Sequence, residues 1–81
     1  MKFKIIKYDV ARNVFDIYCK DHPECDSFDP FVSGITNGDK YLEINKSMEG
    51  RTLDVETRIY KGHLLLTRFG EHEYLKIVEK A

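Results

Sequence analysis

The sequence predicts an all-β fold, mainly antiparallel: a small curled meander or barrel of five to seven strands, with one short helix as a further option. Runs rich in β-branched, aromatic and leucine residues flank the Lys-Gly pair at 61–62, as in a two-residue hairpin. A second alternating pair of runs flanks the polar segment 9–13, and the Asn-Gly pair at 37–38 is the strongest hairpin-turn signal in the chain. We expect a single domain over residues 1–81, because a chain of this length has room for one modest core.

The central segment, residues 52 to 69, is predicted to form one hairpin in which Tyr60 pairs with His63. Alternation then gives each strand two faces. The predicted core face consists of Leu53, Val55, Thr57, Ile59, Leu64 and Leu66. The opposite face mixes charged and large apolar side chains and consists of Asp54, Glu56, Arg58, Tyr60, His63, Leu65, Thr67 and Phe69. Its apolar part needs a cover, either a partner or the chain's own Phe28, Phe31, Val32 and Ile35.

The N-terminal segment is also predicted to be a hairpin. Phe3 and Ile5 alternate with lysines, and the second strand directs Cys19 into the core beside its neighbouring apolar residues. The segment from Asp9 to Asn13 supplies turn chemistry. A helix over 9–19 capped by Asp9 is the alternative, but the β-branched and aromatic residues of the second run favour the hairpin.

The remaining segments complete the predicted sheet. We expect strands at 31–36 and 39–45 around the turn at 37–38, and a last strand at 73–79 for which a short helix is the alternative. In that last strand, Leu75 and Ile77 are expected to face the core and Tyr74 to face away. The predicted core comprises Phe3, Ile5, Phe15, Ile17, Leu42, Ile44, Leu53, Val55, Ile59, Leu64, Leu66, Leu75 and Ile77.

Composition and charge exclude several broad classes. Hydrophobic residues make up 42% and charged residues 33% of the chain, which is typical of a folded protein rather than a disordered one. The formal net charge of −1 provides no overall attraction to nucleic acid or membrane. No apolar run approaches the roughly 20 residues of a membrane helix. We therefore expect a cytoplasmic protein without membrane association, whose two cysteines are reduced.

Residues 20 to 30 form an irregular loop that is rich in acids. From Asp21 to Asp39 there are five carboxylates and no lysine or arginine, so the loop offers an acidic surface to its own sheet or to a basic partner. The same loop spaces Cys19, His22 and Cys25 at intervals of three, which leaves a zinc site as an alternative. We expect no metal and no cofactor, because the paired Cys-x-x-Cys motif of zinc sites is absent.

The sequence favours a small non-enzymatic protein-binding module or inhibitor over an enzyme. Phosphate loops, nucleophile elbows and His-Glu-x-x-His motifs are missing from it. The size of the chain suits an inhibitor encoded by a phage or mobile element, acting through a sheet face, an edge strand or the acidic loop. A protein partner or self-association is expected, with contact residues Arg58, Tyr60, His63, Leu65, Phe69, Asp21, Glu24, Asp26 and Asp29.

The alternative function is nucleic-acid binding of the small-barrel kind. In that class tyrosine and phenylalanine stack on bases while basic side chains follow the phosphates. The available basic residues are Lys2, Lys4, Lys7, Arg58, Arg68 and Lys76. The net charge and the acidic loop count against this alternative.

Overall fold

A computed structural model describes residues 1–30 and 42–80. The predicted strand at 31–36, the predicted turn at 37–38 and the covering residues Phe31, Val32 and Ile35 lie outside the described residues. Within the described ranges the chain is mostly sheet, and that sheet is mainly antiparallel, as predicted. It is not strictly all-β, because two helices accompany the strands.

In the described residues, six strands form one curled sheet in the order β4-β1-β2-β3-β6-β5. The strands are β1 (Lys2–Asp9), β2 (Val14–Tyr18), β3 (Ser27–Asp29), β4 (Thr52–Asp54), β5 (Thr57–Tyr60) and β6 (His63–Leu66). The helices are α1 (Leu42–Ser47) and α2 (Arg68–Glu79). Neighbouring strands are antiparallel except for β3 and β6, which run parallel. Neither α1 nor α2 is long and apolar enough to cross a membrane.

The N-terminal hairpin is confirmed, and the helix alternative over 9–19 is wrong. β1 and β2 pair from Lys4 and Tyr18 to Asp9 and Val14, and Asn13 ends the turn in the left-handed region with φ 55°. Asparagine tolerates this conformation better than most residues. A bulge between Ile5 and Lys7 shifts the register. Under strict alternation, Ile5 and Tyr8 would lie on opposite faces of the strand. The bulge lets both side chains lie in the core and leaves Ile6 56% exposed.

The hairpin around Lys61 and Gly62 is confirmed, but the strand leading into it is shorter than predicted. Tyr60 pairs with His63, and the two turn residues have φ values of 47° and 80°, as in a type I′ turn. The expected continuous strand from residue 52 is wrong, because β4 ends at Asp54 and pairs with β1 at the other end of the sheet. Ile59, a predicted core residue, is 43% exposed because β5 is an edge strand.

The predicted strand over 39–45 is wrong for its described part, where α1 begins at Leu42. Asn45 and Met48, three residues apart, are both completely buried, which is the spacing of one helix face rather than one strand face. The helix unwinds at Met48, and Gly50 reverses the chain with φ 86°.

The last element is the helix α2, so the favoured strand at 73–79 is wrong and the helical alternative is right. Its N-cap is Thr67, whose hydroxyl oxygen accepts a hydrogen bond of 3.1 Å from the amide of Gly70. Tyr74 and Val78, four residues apart, are buried, so the expectation that Tyr74 faces away from the core is also wrong. Leu75 and Ile77 are partly buried at the margin of the core.

The core lies between the sheet and α2. Seven predicted core residues are buried in it: Phe3, Ile5, Phe15, Ile17, Leu53, Val55 and Leu64. Phe28 joins the two layers, since its ring lies 4.7 Å from that of Phe3 and 5.7 Å, edge on, from that of Tyr74. Phe28 therefore belongs to the core and does not cover the opposite face of the central hairpin. Leu42, Ile44 and Leu66, also predicted for the core, are only partly buried against it.

Candidate functional surfaces on the outer sheet face

The face of the sheet turned away from α2, here called the outer face, carries the candidate sites. Strand register determines its residues: Phe15, Phe28 and Leu64 lie on the α2 side, so their neighbours along each strand lie on the outer side. One continuous row of paired residues on the outer face runs across five strands and consists of Lys7, Asp16, Ser27, His63 and Tyr60.

Five of the nine residues predicted for partner binding lie together at one end of this face. Arg58 pairs with Leu65, Tyr60 pairs with His63, and Asp29 pairs with Leu65 from the other side. We call these five residues the hairpin patch. Tyr60 is 55% exposed and Arg58 is exposed, whereas Leu65 is half-buried. In the described part of the chain, Arg58 takes part in none of the ion pairs.

A cleft of about 240 Å³ opens beside the hairpin patch, and we call it the hairpin cleft. Its walls are formed by Arg12, Val14, Ser27, Asp29, His63 and Leu65. The side chains of Val14 and Leu65 give it an apolar part, and His63 and Asp29 give it a polar part. The Ser27 hydroxyl and His63 Nδ1 share a hydrogen bond. This bond orients the imidazole of His63. Because Ser27 is only 3% exposed, its hydroxyl does not face solvent as the hydroxyl of a serine nucleophile would.

Arg12 connects this cleft to the β1–β2 turn. Its Nε lies 2.7 Å from Asp9 Oδ2, and its Nη2 lies 3.4 Å from Asp16 Oδ1. The hydrogen bonds from the Arg12 side chain and amide lower the pKa of Asp9, and the same carboxylate raises the pKa of Arg12. The guanidinium is thus held between two carboxylates at the rim of the cleft, and Asp9 acts as the turn residue that the sequence predicts.

Only part of the acidic loop, the part with Glu24 and Asp26, lies near the β5–β6 turn. The Asp26 amide donates to the carbonyl of Gly62 at 3.2 Å, which places Asp26 near the hairpin patch. Glu24 lies close to the same turn, and its carboxylate accepts from His22 at 3.2 Å. The pKa of Glu24 is lowered mainly by a backbone hydrogen bond and, to a smaller extent, by this contact with His22. Asp21 lies elsewhere, beside a cleft between β1, β2 and β4.

Phe69 does not belong to the hairpin patch. It lies in the first turn of α2 and is 79% exposed, because the chain leaves the sheet at Thr67. Sequence alternation carried beyond residue 66 therefore assigned it to the wrong surface. The grouping of Tyr60 with Leu65 is correct in register, since both lie on the outer face.

A second cleft, of about 290 Å³, lies at the opposite end of the outer face, and we call it the lysine cleft. Its lining residues are Lys2, Phe3, Lys4, Tyr18, Lys20, Asp21 and Thr52. Lys2 and Lys4 are among the basic residues expected from the sequence to contact phosphates, whereas Tyr18, Lys20 and Thr52 were not expected in such a site. The signal was present in the alternation of the two strands, which pairs Tyr18 with Lys4 on one face. The other basic residues considered, Lys7, Arg58, Arg68 and Lys76, do not line this cleft.

The loop cysteines are buried side chains. Cys19 is fully buried and Cys25 is 1% exposed, as expected for Cys19 from its strand position. Burial, together with the nearby charge of Glu24, raises the pKa of the Cys25 thiol, so the metal-free side chain favours the neutral thiol. In residues 1–30 and 42–80, no group of three or more His, Cys, Asp or Glu side chains is arranged to hold a metal ion.

Comparison of the chain with protein-family models, curated proteins and solved structures found no match in any of the three.

Proposed function

We propose that this chain is a small protein-binding module that docks a polypeptide segment along β5 and the hairpin patch. The proposal rests on one observation: β5 is an edge strand, and five of the predicted contact residues lie on it or beside it on the outer face. Exposed edge strands pair readily with a strand from another chain, and arginine and tyrosine are frequent hot-spot residues.

The geometry of β5 favours strand addition. In an antiparallel hairpin closed by a two-residue turn, the residues next to the turn form the hydrogen-bonded pair, so the following pair directs its amides outward. Tyr60 and His63 flank the turn, and Ile59 pairs with Leu64. The backbone amide and carbonyl of Ile59 therefore point toward the edge of the sheet, where no strand of residues 1–30 and 42–80 pairs with β5, and they offer a partner strand its central pair of hydrogen bonds.

The chemistry of the partner segment follows from the adjoining surface. The exposed guanidinium of Arg58 suits a carboxylate. The hairpin cleft, with Val14 and Leu65 among its walls, suits one apolar side chain. The favoured partner is thus an extended segment that presents an acidic residue and an apolar residue on the same face.

Affinity capture with matched variants tests this function. The protein is used as bait in lysate of its source cell, with and without nuclease treatment, and self-association is followed by light scattering. We expect the captured protein, or the self-associated species, to be lost with Tyr60→Ala and with Ile59→Pro, which removes an outward amide. Tyr18→Ala removes an equally exposed tyrosine, 50% against 55%, at the other end of the sheet and should retain the partner.

If Tyr60→Ala and Ile59→Pro keep native melting temperatures and still capture the same partner, the hairpin patch is not the docking surface. If nuclease treatment alone releases the captured material, the partner is held through nucleic acid instead.

A further inference from the structure

The lysine cleft has the composition of an anion site, although the chain as a whole is slightly acidic. Three lysines, Lys2, Lys4 and Lys20, line it together with one carboxylate, that of Asp21. In the described part of the chain, the ion pairs involve Met1, Arg12 and His22, and none involves these three ammonium groups. The cleft is therefore a local positive region on a molecule with net charge −1.

The register of three strands places an aromatic ring in the middle of this positive region. Lys4 pairs with Tyr18 on one side and with Thr52 on the other, so the three side chains form one row across β2, β1 and β4. Directly opposite residues have Cβ atoms about 4.5–5.5 Å apart. Lys2 lies two residues before Lys4 in β1, and Lys20 lies two residues after Tyr18, just beyond the end of β2. Both line the same cleft as the row. Tyr18 is 50% exposed, so its ring is accessible.

A ring flanked by ammonium groups matches one class of ligand, an aromatic base that carries a phosphate. Bases stack on tyrosine rings regardless of their sequence, and lysine binds phosphate as a compact point charge. The volume of about 290 Å³ lies at the lower limit of small-molecule pockets, which is appropriate for one nucleotide unit. Thr52 adds a hydroxyl that can donate to a sugar or phosphate oxygen.

We propose that the lysine cleft binds one nucleotide unit, with the base stacked on Tyr18 and the phosphate held by Lys4 and by Lys2 or Lys20. The unit comes either from a single strand of nucleic acid or from a free nucleotide. A duplex is unsuitable, because its bases are stacked and cannot present a face to the ring. This site is at the other end of the sheet from the hairpin patch and does not depend on the function proposed above.

The test is a titration of the isotopically labelled protein with unlabelled (dT)6 and, separately, with thymidine monophosphate, followed by amide chemical shifts. We expect saturable shifts at Lys4, Tyr18 and Thr52. Equal affinity for the two probes identifies a free nucleotide as the ligand, and much tighter binding of (dT)6 identifies a single strand. Tyr18→Ala should weaken binding by about 5- to 150-fold, which corresponds to the loss of one stacked base, and Tyr18→Phe should retain it.

Two further variants separate a site from general electrostatic attraction. Lys4→Gln should reduce the slope of log affinity against log salt concentration by about 0.7 for (dT)6. Tyr60→Ala, the matched tyrosine in the hairpin patch, should leave the affinity unchanged. The proposal is overturned if neither probe saturates, or if Tyr18→Ala binds as tightly as the unmodified protein. It is also overturned if Tyr60→Ala and Tyr18→Ala weaken binding equally, or if a duplex of the same length binds as tightly as (dT)6.

Discussion

The α-carbon of Gly70 in α2 packs directly against the peptide group of Glu56, just before β5. A Cβ on Gly70 would overlap the Glu56 carbonyl oxygen and lie 2.9 Å from its amide nitrogen. The same carbonyl accepts hydrogen bonds from the Thr67 amide at 3.1 Å and the Thr67 hydroxyl at 3.2 Å. The backbone of Glu56 thus fixes both the N-cap and the first turn of α2, and no side chain larger than hydrogen fits between it and residue 70.

The first prediction concerns this contact. Gly70→Ala adds a methyl group where backbone cannot move aside, so it should lower the free energy of unfolding by about 1–3 kcal/mol. His72→Ala, an exposed change two residues further along α2, should alter it by less than about 0.5 kcal/mol. Urea unfolding followed by circular dichroism measures both. Equal stability of Gly70→Ala and the unmodified protein would show that α2 is not held this closely to β5.

The second prediction compares two buried tyrosines. Within residues 1–30 and 42–80, the buried Tyr74 hydroxyl has no hydrogen-bond partner, and burial raises the pKa of Tyr74. The Tyr8 hydroxyl, by contrast, donates to Asn13 Oδ1. Tyr74→Phe should therefore leave stability unchanged or raise it by about 1 kcal/mol, and Tyr8→Phe should lower it by about 0.5–1.5 kcal/mol. Thermal unfolding of both variants checks the difference. The opposite order of the two effects would contradict this assignment of partners.

The third prediction concerns pH. The contact with Arg12 lowers the folded-state pKa of Asp9, so its stabilising effect is complete above the ordinary carboxyl pKa and is lost as the pH falls through the lowered value. Asp9→Asn should therefore melt below the unmodified protein at pH 7, and the difference should disappear in strong acid. Arg12→Ala should reproduce the effect, and the double variant should add little to either change. Additive effects of the two changes would show that the pair does not interact.

The fourth prediction concerns the cysteines and zinc. Because Cys19 and Cys25 are buried and burial raises the Cys25 pKa, neither thiol should react with a thiol reagent in the folded protein at pH 7–8. Both should react once urea unfolds the chain. We also expect elemental analysis to find no stoichiometric zinc, and a chelator to leave the melting temperature unchanged. One zinc ion per chain, lost in Cys25→Ser, would instead identify Cys19, His22 and Cys25 as ligands.

The elements that the sequence predicts correctly are those fixed by local chemistry. Gly62 in the turn at 61–62 and Asn13 at the end of the β1–β2 turn suit positive φ, so both turns could be located. The two-residue turn also determines the register of the β5–β6 hairpin, in which Tyr60 pairs with His63, whereas the bulge in β1 leaves no such local signal. Because register determines which side chains share a face, the placement of Arg58, Tyr60, His63 and Leu65 together could be predicted as well.

The sequence favours strands in the segments that form α1 and α2, with a helix as the alternative for the second segment, and residue spacing explains the preference at α2. Leu75 and Ile77 satisfy the alternation of a strand, while Tyr74 and Val78 satisfy the spacing of a helix, and the apolar residues are dense enough to fit both. Thr67, three residues before Gly70, is the available start signal, but its place in the alternation equally fits a continuation of the preceding strand. The position of β4 beside β1 could not be predicted, because pairing of segments so distant in the chain leaves no local pattern. The lysine cleft depends on that pairing.

The parallel pairing of β3 with β6 has a consequence for the order of folding. Only three residue pairs join these strands, and Ser27 and His63 are 36 positions apart in the chain. The hairpin of β5 and β6 continues directly into α2, so this C-terminal unit is assembled from neighbours in sequence, whereas joining it to β3 requires closure of a long loop. We therefore expect the β3–β6 pairing to form late during folding and to open first in local unfolding. Amide exchange should accordingly be faster along β3 than in the adjoining β2.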